Sequence, residues 1–172
     1  MSGNKINADR AGTGPKDQGD WFDAPDPTET TDTGERGLRF ECTMCGNCCT
    51  GPSGFVLFTD EESVAMAGAV GVTRDEFIER YTRDTVLGRS LNEKPSPQGQ
   101  DCVFLDREKV PGRAVCGLYD ARPAQCRTWP FWKSNVASPR HWDRAARGCP
   151  GINSGPLTAP EAIRVTRDRL DI

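Results

Sequence analysis

The stretch Phe40-Glu41-Cys42-Thr43-Met44-Cys45-Gly46-Asn47-Cys48-Cys49 decides how this sequence is read. It holds four of the chain's eight cysteines within eight residues. Two residues between cysteines let a tight turn aim both sulfurs at one point, and N–H groups of that turn can hydrogen-bond the thiolates. Gly46 suits the left-handed backbone such a turn needs. Adjacent Cys48 and Cys49 are expected to point in different directions, so that one of them serves another centre or supports the first.

Cys102, Cys116, Cys126 and Cys149 lie far downstream. Singly, each reads as a small core hydrophobe. Together with the first four they make two complete tetrahedral sites, or one four-sulfur centre closed by a remote cysteine. All eight are therefore candidate metal ligands. Zinc ribbons use two separated C-x-x-C pairs. Here three or four thiols share one loop, and the run C-x-x-C-x-x-C is similar to the ferredoxin loop that supplies three ligands to an iron–sulfur cluster. The ferredoxin pattern is completed by a remote cysteine followed by proline, and Cys149-Pro150 has that form. Sulfur-only ligation accommodates both metals. An iron–sulfur cluster is placed first and zinc second.

Disulfides are the competing use of the same cysteines. Met1 to Gly19 contains no apolar run resembling a signal-peptide core, and nowhere do eighteen apolar residues stand together. The expectation is a cytoplasmic protein kept under reducing conditions, where thiolates bind soft metals. The net charge is −3. Residues 1–37 carry four basic and eight acidic side chains, hence −4, leaving the remainder near +1. Neither part has the basic surplus that a phosphate backbone demands, which argues against nucleic acid as a partner. Metal is the expected partner, with a protein partner left open.

Residues 1–36 are rich in Gly, Asp, Thr and Pro and are expected to form a disordered acidic tail, with Trp21-Phe22 as the part able to dock. Residues 37–172 form the expected cysteine-cluster domain. Within it, Gly54–Phe58 reads as a short buried strand. Thr59-x-x-Glu62 and Thr73-x-x-Glu76 are capping boxes that each open a helix, the first carrying Val64, Ala65, Met66, Ala67 and Val70 and stopping at Gly71. Asn92–Gln100 reads as a loop. Cys102–Leu105 should pair with Ala114–Leu118 around Pro111-Gly112. Ala121–Cys126 suits a short helix with Pro123 in its first turn, and Thr158-x-x-Glu161 should start a terminal helix reaching about Leu170. The fold class is α+β: a small, loop-rich single domain organised around cysteine-ligated metal.

Arg122 and Arg127 flank Cys126 and could offset the negative surplus of a thiolate-bound metal. The aromatic run Trp129-Pro130-Phe131-Trp132 reads as core. His141 is the sole histidine and reads as a surface residue, which excludes every catalytic triad not built on it. No Gly-rich phosphate loop or His-x-Glu deaminase motif is present.

These residues resemble the YkgJ-like CxxCxxCC cysteine-cluster family. The resemblance is carried by Gly37-Leu38-Arg39-Phe40-x-Cys42-x-x-Cys45-Gly46-x-Cys48-Cys49 and by Asp101-Cys102-Val103-Phe104-Leu105. It continues through Cys116-x-x-Tyr119-x-x-Arg122-Pro123-x-x-Cys126-Arg127, Trp129-Pro130-Phe131 and Cys149-Pro150-Gly151. It spans roughly residues 37–152, and it implies chelation of zinc or iron through these cysteines. A similar cluster occurs in flagellin lysine methylases, but this chain lacks a recognisable partner domain, and its acidic segment between Trp21 and Gly37 looks like an insertion.

Two functions follow. The first is a metal-binding protein with a redox, accessory or structural role and no organic substrate. The alternative is a metal-dependent enzyme or enzyme subunit whose metal lies beside a pocket of Trp129, Phe131, Trp132 and arginines. In the first case metal contributes much of the folding free energy, since structural zinc is worth on the order of 10–16 kcal/mol against a usual net stability of roughly 5–15 kcal/mol. Complete metal removal is therefore expected to abolish the cooperative thermal transition followed by circular dichroism. A Tm that does not move contradicts this.

Overall fold

The computed structural model describes residues 19–24 and 34–169; the rest of the acidic tail, residues 1–18 and 25–33, and residues 170–172 lie outside the described residues. The chain enters the domain at strand β1 (Leu38–Phe40), passes through the cysteine loop, and then forms the two helices that the capping boxes announce. In α1 (Asp60–Val70) the Thr59 hydroxyl accepts from Glu62 N while the Glu62 carboxylate accepts from Thr59 N. Gly71 ends that helix in the left-handed conformation. The same reciprocal pair, Thr73 with Glu76, opens α2 (Arg74–Tyr81). Of the expected α1 stripe, Met66 and Ala67 are buried together with Ser63, whereas Val64 is exposed.

Strands follow as three successive hairpins: β2 (Thr82–Thr85) with β3 (Gly88–Leu91), β4 (Glu93–Ser96) with β5 (Gly99–Cys102), and β6 (Leu105–Val110) with β7 (Arg113–Cys116). The last is the expected hairpin around Pro111-Gly112, shifted so that Leu105 faces Cys116 and Cys102 ends the preceding hairpin. The expected loop 92–100 is instead the β4–β5 hairpin. Pro95 sits opposite Gln100 without disrupting it, because each strand of a two-stranded ladder is an edge that can spare an N–H. Residues 54–58 are not a strand. Only the bridge Leu57–Ser90 forms there, and the Ser90 hydroxyl and the Gln125 amide oxygen accept from Val56 N and Leu57 N in place of a ladder.

Short helices α3 (Ala124–Arg127), α4 (Lys133–Val136) and α5 (Pro139–Gly148) lead to β8 (Ile152–Thr158) and α6 (Pro160–Arg167). Pro123 caps α3 rather than lying in its first turn. Thr158 does not cap α6: it is held in β8 opposite Leu38, so Ala159 takes the cap position without a side-chain bond. No described helix is long and apolar enough to cross a membrane.

Two small cores result. One gathers Met66, Ala67, Phe77, Leu91 and Leu118 from α1, α2 and the hairpins, with Phe77 stacked on Phe104 at 5.9 Å between ring centres. The other gathers Phe22, Leu38, Phe131, Val136, Trp142, Cys149, Ile152 and Ile163. The Trp21-Phe22 segment docks into this second core. Phe22 is 1% exposed, Trp21 Nε1 donates to Val136 O at 2.7 Å, and Asp20 and Asp23 receive the guanidinium of Arg164. Arg167 adds a second bond to Asp20 at 2.9 Å. Phe22→Ala is expected to cost about 3–5 kcal/mol, the range for emptying a buried aromatic site. The denaturant midpoint of full-length protein reads this directly.

Candidate metal centre

The cysteine loop between β1 and α1 is pinned by bonds to remote parts of the chain. Glu41 N donates to Gly151 O at 3.0 Å, Asn47 Nδ2 to Gly148 O at 2.9 Å, and Ala114 N to Met44 O at 2.7 Å. Met44 itself has φ 54°, an uncommon value for a residue with a side chain. Gly46 has φ 78°, as the turn requires, and a Cβ there would meet Ala114 Cβ at 2.6 Å. The loop thus lies flush on β7. Past the cluster, Gln100 N donates to Gly51 O at 2.7 Å, and a Cβ on Gly99 would strike that same carbonyl at 2.5 Å.

The clip between the loop and β5 is polar. Asp101, 2% exposed, accepts from Arg107 Nε at 2.9 Å and from Arg107 Nη2 at 3.0 Å, and also from the Thr50 hydroxyl. Glu93 receives Ser53 Oγ, Gly54 N and Arg83 in the same way. The partners of neither carboxylate are visible in the sequence, because each is set by hairpin register and not by local spacing. Asp101 directly before Cys102 was the available signal.

This scaffold brings six cysteines to one cavity of about 120 Å³: Cys42, Cys48 and Cys49 from the loop, with Cys102, Cys116 and Cys126 from β5, β7 and α3. The cavity draws wall residues from both cores, including Phe104 and Leu118 of one and Trp129, packed on the other. All eight cysteines are free of disulfides. Cys48 Sγ and Cys49 Sγ lie 3.6 Å apart, so the two adjacent side chains converge rather than diverge. Sulfurs 2.3 Å from one tetrahedral ion would be roughly 3.8 Å apart, close to that spacing. Among the described residues no three Cys, His, Asp or Glu side chains already meet at one metal-binding point. Six sulfurs on one wall system nonetheless form a donor set that suits a soft cation.

Two expected ligands are elsewhere. Cys45 is half-buried and is not among the residues lining the cavity; Cys149 is buried in the second core, with Trp142 and Ile152 in the same cluster. His141 bonds the Ser138 hydroxyl at 2.7 Å and also stands outside the cavity.

A family model described as "CxxCxxCC: Putative zinc- or iron-chelating domain" matches residues 41–150. The chain belongs to the CxxCxxCC family. No solved structure matches it.

The arginines of this CxxCxxCC domain divide. Arg122 lines the cavity, held over the Tyr119 ring at 3.9 Å and bonded to Tyr119 O. Arg127 does not line it, bonding Glu62 and the Arg122 carbonyl instead. Arg107 is held above its ordinary value chiefly by its hydrogen bonds to Asp101, with the nearby Cys49 and Cys45 adding smaller contributions.

Electrostatics tie the thiols together. Cys48 is drawn down from 9.0 to about 7, chiefly by its hydrogen bond with Cys49 and against its own burial, with Arg122 assisting. Cys49 is pushed up by that same bond, then by burial and by the neighbouring Cys48, Cys126 and Cys102. Burial raises Cys102 to about 11 and Cys126 to about 12, and it raises Cys116 as well. Metal binding must therefore expel protons from the CxxCxxCC cavity.

Asp101 supplies a test of the scaffold. The Arg107 bonds hold its carboxyl at about 2, below the ordinary 3.8. A depressed carboxylate stabilises the fold above its unfolded pKa, and that contribution disappears as pH falls from 3.8 through about 2. Asp101→Asn is expected to lose about 2 kcal/mol at neutral pH, with the gap to wild type closing in acid; urea titrations from pH 7 to about 2 follow it.

Proposed function

We propose that this protein is a metal chelator whose centre is the cysteine cavity, with ligands drawn from Cys42, Cys48, Cys49, Cys102, Cys116 and Cys126. The observation that carries the reading is the convergence of thiols from the cysteine loop, two hairpins and a helix on one cavity. An iron–sulfur cluster is the leading occupant. A cavity of about 120 Å³ supports it, because it has room for more than a lone ion. A single zinc ion is the second reading, favoured by the 3.6 Å between Cys48 and Cys49. A cluster would supply electron transfer, and zinc would supply cross-linking of the fold.

A role without an organic substrate fits the size of the cavity. Pockets for small organic ligands run to about 300–1,000 Å³, well above the roughly 120 Å³ here. Of the alternative enzyme pocket, Trp129, Trp132 and Arg122 line the cavity with the cysteines, whereas Phe131 is packed in the second core.

Anaerobic purification followed by iron, zinc and sulfide analysis tests the proposal. Brown protein with equal iron and acid-labile sulfide supports the cluster. Colourless protein with one zinc per chain supports the second reading, and a chain with neither metal refutes both. Cys48→Ser and Cys126→Ser are expected to lose most of the bound metal, whereas Cys149→Ala keeps it.

A further inference from the structure

We propose that Trp129 is a positioning residue of this centre: its indole N–H donates a hydrogen bond to a thiolate sulfur of the metal-loaded cavity. The inference rests on the reading of the cysteine cavity as the metal centre.

Trp129 lines the cavity. Its Nε1 is the one buried side-chain nitrogen or oxygen among the described residues that has no hydrogen-bond partner. The other three tryptophans all have acceptors. Trp21 donates to Val136 O at 2.7 Å, Trp142 to Asn153 Oδ1 at 2.7 Å, and Trp132 to Gln125 O and to the Thr128 hydroxyl at 3.0 and 3.1 Å. A buried donor left unpaired is costly enough that such groups are rare in native proteins and call for an account.

The indole nitrogen is shielded from water. Trp132 packs edge-on against the ring at 4.9 Å between ring centres, and Thr128, Pro130 and Phe131 around it in sequence are all buried. The polar side chains that share the cavity are Tyr119, Arg122 and Gln125; Tyr119 is an exposed residue with Arg122 over its ring. Arg122 is a donor itself, and the Gln125 amide is already engaged, receiving Leu57 N and donating to Phe55 O. The remaining abundant acceptors on the wall are sulfurs. A neutral thiol accepts weakly, whereas a metal-bound thiolate is an anionic acceptor, and N–H donors around such sulfurs orient the ligands and temper their charge. Trp129 then has a partner only in the loaded state.

Cadmium serves as the probe, being thiophilic and visible by NMR as 113Cd. In chelator competition, full-length Trp129→Phe is expected to hold Cd²⁺ about tenfold more weakly than wild type, the lower end of the effect of removing such a supporting group. Its 113Cd resonance moves, because the sulfur that lost the hydrogen bond donates more strongly to the metal. Trp21→Phe, which deletes an indole N–H satisfied outside the cavity, changes neither reading. If Trp129→Phe weakens binding but leaves the 113Cd resonance in place, the ring acts by packing alone and the hydrogen bond is refuted. Equal affinity and an unmoved resonance refute it as well.

A second measurement needs no substitution at the site. In wild type carrying 15N-labelled tryptophan, one of the four indole N–H signals should move downfield and exchange with solvent at least tenfold more slowly once Cd²⁺ is bound. Four unaltered signals in a protein that has bound Cd²⁺ overturn the inference while sparing the metal centre. A wild type that binds no Cd²⁺ overturns the metal-centre reading, and this inference falls with it.

Discussion

Thiolates confined to one small cavity repel one another and lose hydration, so they ionise together only when a cation shares the space. Here burial first, and neighbouring thiols after it, push Cys102, Cys116 and Cys126 toward the neutral thiol, while the bond between Cys48 and Cys49 raises Cys49 and lowers Cys48. Much of the surrounding architecture can be understood as an answer to that problem. Arg122 brings a guanidinium to the wall, locked in place by the ring and carbonyl of Tyr119. Arg107 brings a second beside the cysteine loop, locked by Asp101.

The same arrangement bears on how the domain holds together. Neither hydrophobic cluster is large, and the cavity takes wall residues from both. The loop supplying the first thiols has almost no secondary structure of its own. It is kept in shape by bonds to Gly148, Gly151, Ala114 and Gln100, each 49 or more residues away in sequence. A metal held by sulfurs from this loop and from β5, β7 and α3 would tie those segments directly. Small domains with modest cores commonly need such a staple.

The Trp21-Phe22 segment meets a related need by other means. An aromatic side chain fills the second core, and Asp20 and Asp23 on either side are fastened by Arg164 and Arg167 of α6. Apolar burial and paired charge act together here. Exposed ion pairs alone would contribute little, whereas Phe22 at 1% exposure contributes as a core residue does.

Several features were legible from sequence because their causes are local. The two capping boxes, the left-handed Gly46, the Pro111-Gly112 turn and the C-x-x-C-x-x-C-C thiol cluster each depend on residues within a few positions of one another. The α+β class and the metal-chelating family could be inferred on that basis. Other features came only with the tertiary structure. Cys149-Pro150 has the form of a remote ligand, yet β8 and α5 carry Cys149 into an apolar core. Arg122 and Arg127 both flank Cys126 in sequence, but only Arg122 lines the cavity, while Arg127 is engaged by Glu62 of α1. Asp101 with Arg107, and the unpaired N–H of Trp129, are invisible until hairpins and cores are placed. Short-range chemistry is written in residue spacing, whereas which distant sulfurs, charges and donors share a cavity depends on how helices and hairpins pack, and that packing has no local signature.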